Sequence, residues 1–224
     1  RIPVGAVTLA LGTRRAGGLS SNVATLTSSK GNVDQCWWKS QRERGRCHCV
    51  CNISALMLHF KFYSTHGDFR TMGTRRKVTI GDVFAGAGLF SQAFADVGAK
   101  LRFAIELDRH AAASYAHNVG AHVRVASALE VGGAPSVNVI VAGPPCQGFS
   151  TLGRRDPKDV RNRLCLVVPR WAEHCEADVV VVENVPPFLE SSAWQSMRRT
   201  LRRLRYEITT WTLDAADFGV PHHR

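Results

Sequence analysis

From Val78 onward the chain alternates short apolar runs with segments whose apolar positions recur every three or four residues, the pattern of strands and helices taking turns in an α/β fold. The runs VTIGDVF (78–84), LRFAIE (101–106), HVRVA (122–126), VNVIVAG (137–143), DVVVVENV (178–185) and YEITTWTL (206–213) predict six strands. The near-continuous valines of DVVVVENV are those of a strand buried on both faces. Between the strands, GLFSQAFADVG (88–98) predicts a helix with Leu89, Phe90, Ala93, Phe94 and Val97 on one face, stopped by Gly98. Asp108 can cap a second helix that runs to about Asn118. A third, from Asn162 to about Cys175, puts Leu164, Val167, Val168 and Trp171 at core spacing. A basic helix over about 192–204 turns Met197, Leu201 and Leu204 inward and Arg198, Arg199, Arg202, Arg203 and Arg205 mostly outward. Residues 1–77 show no sustained period of either kind, so a boundary is expected near Arg76-Lys77, with a basic N-terminal segment (1–77) before a catalytic domain (78–224).

Charge sharpens that boundary. Of the formal +11, residues 1–77 carry 13 Lys and Arg against 3 Asp and Glu, a net of +10; residues 78–224 carry 16 against 15, a net of +1. A basic segment attracts nucleic acid by counterion release, and its bland alternative is a solvated or disordered tail. The apolar VGAVTLALG near the start lies between Arg1 and Arg14-Arg15, as in the apolar part of a signal peptide, but no clear cleavage site follows and a signal peptide is not expected. No apolar run approaches the roughly 18 residues that span a bilayer, so no membrane association is expected. Seven cysteines (Cys36, Cys47, Cys49, Cys51, Cys146, Cys165, Cys175) are an odd count that fits a reducing cytoplasm better than a disulfide framework. CHCVC (47–51) lacks the usual two-residue spacer of zinc sites, and no metal is expected.

Three features carry chemistry. DVFAGAGLFS (82–91) sets Gly86 and Gly88 between the first strand and its helix, where a bare backbone lets a ligand come close. The next strand ends in AIELD (104–108), and an acid at the position of Glu106 can bind two ribose hydroxyls. Together they point to an adenosine-containing cofactor. Ser91 stands where a dinucleotide fingerprint wants its third glycine, which disfavours NAD or FAD; S-adenosylmethionine has no pyrophosphate and does not need that glycine. In AGPPCQGFS (142–150), Pro144 and Pro145 stiffen the chain just before Cys146, at the sheet edge where open α/β folds bind ligands. A thiolate held there is a nucleophile, and Glu183, at the end of the all-valine strand, is a candidate proton donor. Thiol, acid and methyl donor suit one reaction: addition to C6 of cytosine with N3 protonated, which makes C5 nucleophilic enough to accept a methyl group.

These residues resemble the cytosine-C5 DNA methyltransferases. DVFAGAGLFSQAF is similar to that family's first motif, AIELD to its second, GPPCQGFS to its nucleophile motif and ENV (183–185) to its glutamate motif. DVRNRL (159–164) resembles the segment after the nucleophile loop, and DAADFGVPHHR (214–224) the start of the eighth motif. The resemblance covers about two-thirds of the chain, in the family's order and spacing. It implies a doubly wound, Rossmann-like S-adenosylmethionine-dependent methyltransferase fold, incomplete at its C-terminus. It implies Cys146 as nucleophile, Glu183 at N3 of the base, and Arg224 as an arginine that holds the flipped base and Glu183. It also implies Phe84, Gly86, Gly88 and Leu89 around S-adenosylmethionine, Glu106 on its ribose, Leu107 on its adenine and Pro144 beside its methionine part.

Two positions depart from the family: Ser127 stands for an Asp that meets the adenine amino group, and His222 for a Gln. A second arginine, the target-recognition domain and the last motifs are expected beyond Arg224. The working expectation is part of a bacterial, cytoplasmic, monomeric enzyme of a restriction-modification system that acts on double-stranded DNA with its target cytosine flipped out. The rivals are a tRNA cytosine-C5 methyltransferase, an inactive nucleic-acid-binding remnant and, more distantly, a NAD-dependent oxidoreductase. With the next strand missing, YEITTWTL is expected to present an unpaired, aggregation-prone edge.

Overall fold

The structure is a computed structural model that describes residues 6–14, 77–145 and 160–214. Its frame is a seven-stranded sheet in the order β4-β3-β2-β5-β6-β1-β7. The strands are β1 (Ala6–Arg14), β2 (Thr79–Val83), β3 (Lys100–Glu106), β4 (Val123–Val125), β5 (Val139–Ala142), β6 (Val179–Asn184) and β7 (Tyr206–Asp214). The helices are α1 (Leu89–Asp96), α2 (Arg109–Asn118), α3 (Val168–His174) and α4 (Ser192–Arg203). β4, β3, β2, β5 and β6 run parallel; β1 lies antiparallel to both β6 and β7.

The central strands explain their own sequences. In β5, Ile140 and Ala142 face one core cluster and Val139 and Val141 the other; in β6, Val180 and Val182 join the first and Val181 the second. With helices on both faces, no polar position is needed, which is why these runs do not alternate. The first cluster holds the largest packing element, Trp171 of α3. Its ring stacks on Phe103 at 5.6 Å between centroids, and its Nε1 donates to the Ala128 carbonyl at 2.7 Å. Helix α2 begins as expected: the Asp108 side chain accepts from the amides of His110 and Ala111, both at 2.8 Å, and these bonds lower its pKa. Ser191 caps α4 through the Trp194 amide at 3.0 Å.

Several expectations change. The sequence reading finds no strand within residues 1–77, yet β1 lies inside the sheet. YEITTWTL is expected to present an unpaired edge; all nine residues of β7 pair with β1 on one side, from Ala6↔Asp214 to Arg14↔Tyr206, and as the last strand of the sheet β7 has no strand partner on its other side among the described residues. Of the face expected on α1, Phe90 and Ala93 are buried and Phe94 is half-buried, but Leu89, at the start of the helix, and Val97, just after its end, are exposed. The helix expected from Asn162 to about Cys175 is a 3₁₀ segment, Val160–Val167, followed by α3; Pro169 lacks an amide proton and is tolerated only in the first turn of an α-helix. Leu204 is only half-buried, while Trp194 takes a core place beside Met197 and Leu201. The Arg face of α4 is exposed, as expected. Cys36, Cys47, Cys49 and Cys51 lie outside the described residues; among those described, no cluster could hold a metal ion and no helix is long and apolar enough to cross a membrane.

A buried polar chain ties β2 to both helices of its face. Ser91 Oγ donates to Asp82 Oδ2 and Tyr115 Oη donates to Ser91 Oγ, each at 2.7 Å. Tyr115 Oη also lies 2.8 Å from His122 Nε2; with the phenol proton already committed to Ser91, that nitrogen must carry a proton and donate. Asp82 is 1% exposed, and its Oδ1 has no partner among the described residues. Burial raises its pKa from 3.8 to about 7, with the Glu106 charge adding a little.

The sign of the resulting pH dependence is fixed by that shift. Below 3.8 both folded and unfolded states hold the proton; between 3.8 and about 7 only the unfolded chain releases it, so stability falls as pH rises through that window. Asp82→Asn cannot ionise and should abolish this part of the loss, a few kcal/mol at about 1.4 kcal/mol per pH unit. Urea unfolding of both proteins from pH 4 to 7.5 measures it, and parallel curves would contradict the assignment.

Candidate active site

The sheet reverses its direction of growth between β2 and β5. From β2 the chain steps outward to β3 and β4; from β5 it steps the other way to β6. Loops leaving the carboxyl ends of such neighbours part company and open a crevice, the usual ligand site of open α/β sheets. The last pair of the β2–β5 ladder is Val83↔Ala142, so Phe84 and Gly143 begin the two walls.

On the β2 side, Phe84 leaves the strand with φ of 63°, a strained value for a residue with a side chain. The two glycines that follow have different reasons to be glycine. A Cβ on Gly88 (φ 92°) would stand 2.6 Å from Val119 Cγ2 and 2.7 Å from Tyr115 Cδ2, so its bareness lets α2 pack against the loop. A Cβ on Gly86 (φ 55°) would meet nothing within 4 Å, so this glycine faces open space. The Glu106 carboxylate spans the loop and its own strand end: Oε2 accepts from the Gly86 amide and Oε1 from the Asp108 amide, each at 2.7 Å. Each oxygen retains a lone pair for a further donor. Leu107 (71% exposed) and Leu89 (46%) leave apolar surface at this edge. Ser127 follows β4, half-buried, its Oγ accepting from the Leu129 amide at 3.2 Å.

On the β5 side, Pro144 is buried and its carbonyl accepts from Asn184 Nδ2 at 3.1 Å. The Asn184 Oδ1 accepts from the Val185 amide at 2.9 Å. This buried side chain therefore locks the start of the proline loop to the end of β6. Glu183 stands one residue earlier. A Cβ on Gly143 would be 3.8 Å from Glu183 Oε2 and 4.0 Å from the Phe84 carbonyl oxygen, ordinary contact distances, so the chain after β5 passes directly beside the carboxyl group and the β2 wall. Burial raises the Glu183 pKa from 4.5 to about 7. Burial also pushes the Cys165 thiol up to about 12 and that of Cys175 up to about 11, which removes both as thiolates near neutrality.

The sequence-derived residues Phe84, Gly86, Gly88, Leu89, Glu106, Leu107, Ser127, Pro144 and Glu183 thus lie in the loops and strand ends of one carboxyl edge. Cys146 and Arg224 fall outside the described residues. Sequence reasoning missed Asn184, although it sits inside the quoted ENV; a buried amide beside an acid was its only signal. It also missed Asp82 and Tyr115, which hold the glycine loop from behind. A separate groove of about 770 Å³, lined by Lys77, Lys100, Arg102 and Asp178 among others, opens at the amino ends of the strands, the opposite edge of the sheet from Glu106 and Glu183.

The comparisons with known proteins fit this arrangement. The family model described as C-5 cytosine-specific DNA methylase matches residues 78–224. The type II methyltransferase M.AgeI of Thalassovita gelatinovora is 33% identical over 157 residues, 64% of this chain and 37% of that protein. M.BsuFI of Bacillus subtilis is 30% identical over 169 residues, 73% of this chain and 41% of that protein. A solved structure, the Entamoeba histolytica methyltransferase EhMeth, superposes with a TM-score of 0.48 at 20% identity, over 58% of this chain and 44% of that one. The chain spans about two-fifths of the length of the curated relatives it matches. The match runs through the glycine loop, the proline loop and Glu183 alike, and the chain belongs to the C-5 cytosine-specific DNA methylase family.

Proposed function

We propose that the protein transfers a methyl group from S-adenosylmethionine to C5 of cytosine in DNA, as the modification enzyme of a type II restriction-modification system in a bacterial cytoplasm. The observation that carries this reading is that Glu183 and the start of the Pro144-Pro145-Cys146 loop adjoin each other in the same crevice as Gly86 and Glu106. The names of the curated relatives supply the restriction-modification context. The protein would act as a monomer, with no membrane partner.

The residues fit the methyl donor. Gly86 faces open space, the Glu106 oxygens have acceptor capacity left for the ribose hydroxyls, and Leu107 is exposed where an adenine could cover it. Phe84, Leu89 and Pro144 would line the rest, with Gly88 holding the loop in shape. When bound, S-adenosylmethionine supplies the methyl group. Ser127 would face the adenine amino group with a hydroxyl in place of a carboxylate.

The chain's own part is to make C5 of cytosine a nucleophile. A base inside a duplex is out of reach, so the target must swing into the crevice. The Cys146 thiolate adds to C6, and Glu183 gives its proton to N3 so that the ring accepts the electron pair. A carboxyl with a pKa of about 7 suits this role, since it still holds a proton near neutrality. Arg224 would keep the base and the glutamate in register. After methylation, loss of the C5 proton expels the thiolate and restores the ring.

Three outcomes follow for the full protein. DNA containing 5-fluorocytosine should trap a covalent adduct, because fluorine cannot leave as a proton does. Cys146→Ala should abolish that adduct with cofactor binding within a few fold; an adduct mapped to Cys165 or Cys175 would refute the assignment, and one formed on tRNA but not on DNA would move the substrate to RNA. Glu106→Gln should weaken S-adenosylmethionine at least tenfold by calorimetry, since bonds to a charged acceptor contribute about 1.5–3 kcal/mol each. Ser127→Asp should tighten it, and unchanged affinity in both variants would mean that the pocket is elsewhere. Because the proton donor must be protonated, kcat/KM on DNA should fall as pH rises through about 7. A profile flat from pH 6 to 8.5 would exclude Glu183 as the donor.

A further inference from the structure

Tyr115 meets the glycine loop twice. Its ring fills the space that a side chain on Gly88 would need, with Cδ2 2.7 Å and Cε2 3.0 Å from where a Cβ would stand. Its hydroxyl donates to Ser91 Oγ at 2.7 Å. Gly88 is the N-cap of α1, and Ser91 is the third residue of that helix. One fully buried side chain of α2 therefore holds both ends of the turn that carries the loop into α1.

That turn lacks the usual support. An N-cap side chain ordinarily accepts from the amide of the second or third helical residue. Gly88 has no side chain to offer, and the first turn of α1 has no acid. Asp82 of β2 stands in. It accepts from the Ser91 hydroxyl at 2.7 Å, and although burial raises its pKa, bonds from the side chain and main chain of Ser91 offset part of that rise. The bond from Ser91 to Asp82 closes residues 82–91 on themselves, with Phe84, Gly86 and Gly88 inside. A hydroxyl has one proton and two lone pairs, so Ser91 serves Asp82 while accepting from Tyr115. Packing against Gly88 asks only for an aromatic ring. A buried phenol is costly unless its hydroxyl is bonded, and here it is bonded to the side chains of Ser91 and His122.

We propose that Tyr115 is a positioning residue for the methyl-donor loop: its hydroxyl orients Ser91, Ser91 and Asp82 together support the start of α1, and the loop is thereby held in shape at Gly86 before the donor arrives. The part given to the donor rests on the S-adenosylmethionine reading above; the link from Tyr115 to Asp82 does not. The competing view is that Tyr115 only fills space behind Gly88, in which case phenylalanine should serve as well.

Two substitutions separate these views. Tyr115→Phe keeps the ring and removes the hydroxyl, and Ser91→Ala breaks the same link from the other side. In the full protein, calorimetry should find S-adenosylmethionine bound at least fivefold more weakly by each variant. The double variant should stay within about twofold of the weaker single one, because a chain already cut is not cut again. Without cofactor, amide exchange over residues 86–91 should rise at least fivefold in both variants, with β5 and β6 unchanged. The His122 ring gives a readout that packing alone does not move. In the wild type its Nε2 carries the proton and donates to Tyr115; in Ser91→Ala the phenol proton is freed for that nitrogen, and nitrogen NMR should find the imidazole proton on Nδ1. If Tyr115→Phe does not fold, Ser91→Ala decides alone. Unchanged affinity and exchange in a folded variant, losses that multiply in the double variant, or a His122 proton that stays on Nε2 in Ser91→Ala would overturn the proposal. A wild-type protein that binds no S-adenosylmethionine would instead refute the functional reading, and exchange and NMR would still decide the link.

Discussion

The pairing of β2 with β5 is the constraint on which the remainder depends. Each strand is buried on both faces, so its register is locked twice. A slip of one residue in β5 would exchange Ile140 and Ala142 with Val139 and Val141 between two differently shaped clusters. With Val83 held opposite Ala142, Phe84 and Gly143 must meet at the edge, and the loops that follow them must diverge. Glu106 then bridges the glycine loop to β3, and Asn184 bridges the proline loop to β6. The crevice is an outcome of strand order, tightened by two side chains that bond to main chain.

Much of this is legible in the sequence, for reasons that also explain what is not. β2, β5 and β6 announce themselves because a strand buried on both faces needs an apolar run that few other elements use. The Asp108 cap is local, two or three residues from its partners, and is equally readable. β1 is different. AVTLALGTR is an apolar run too short and too uniform to show a period, and such a run does not distinguish strand, helix or leader segment. Its partners lie roughly 170–200 positions away along the chain, so no nearby residue signals them. The third expected helix, from Asn162 to about Cys175, differs from the structure because Leu164, Val167, Val168 and Trp171 fit helical spacing on either side of Pro169, and spacing alone does not reveal the missing donor.

The site shows the same division. Glu106 and Glu183 are visible because a carboxylate at the end of an apolar strand is costly unless it serves a purpose. Asn184 and Tyr115 are not, since their role is to reach main chain or another side chain 40 and 24 positions away. The glycine loop is half legible. Two glycines in sequence suggest one shared purpose, but only Gly86 faces open space; Gly88 is required by the ring of Tyr115. Backbone freedom at one and packing at the other leave the same letter in the sequence.

Burial sets two of the cysteines apart from the one proposed as nucleophile. The family match contains three cysteines, Cys146, Cys165 and Cys175. Two belong to the core cluster around Trp171, where burial holds their pKa values near 12 and 11. Burial therefore disfavours the thiolate form of both at neutral pH. The core needs them as small apolar groups, and the same burial that makes them useful there makes them inert. The nucleophile proposed above instead follows β5 in the sequence, after the strand that ends at the crevice. Pro144, two residues ahead of Cys146 in the sequence, is buried and anchored by Asn184, and Glu183 belongs to the same strand end. On the proposed reading nucleophile and acid share one joint between β5 and β6, so a disturbance of that joint should impair both together.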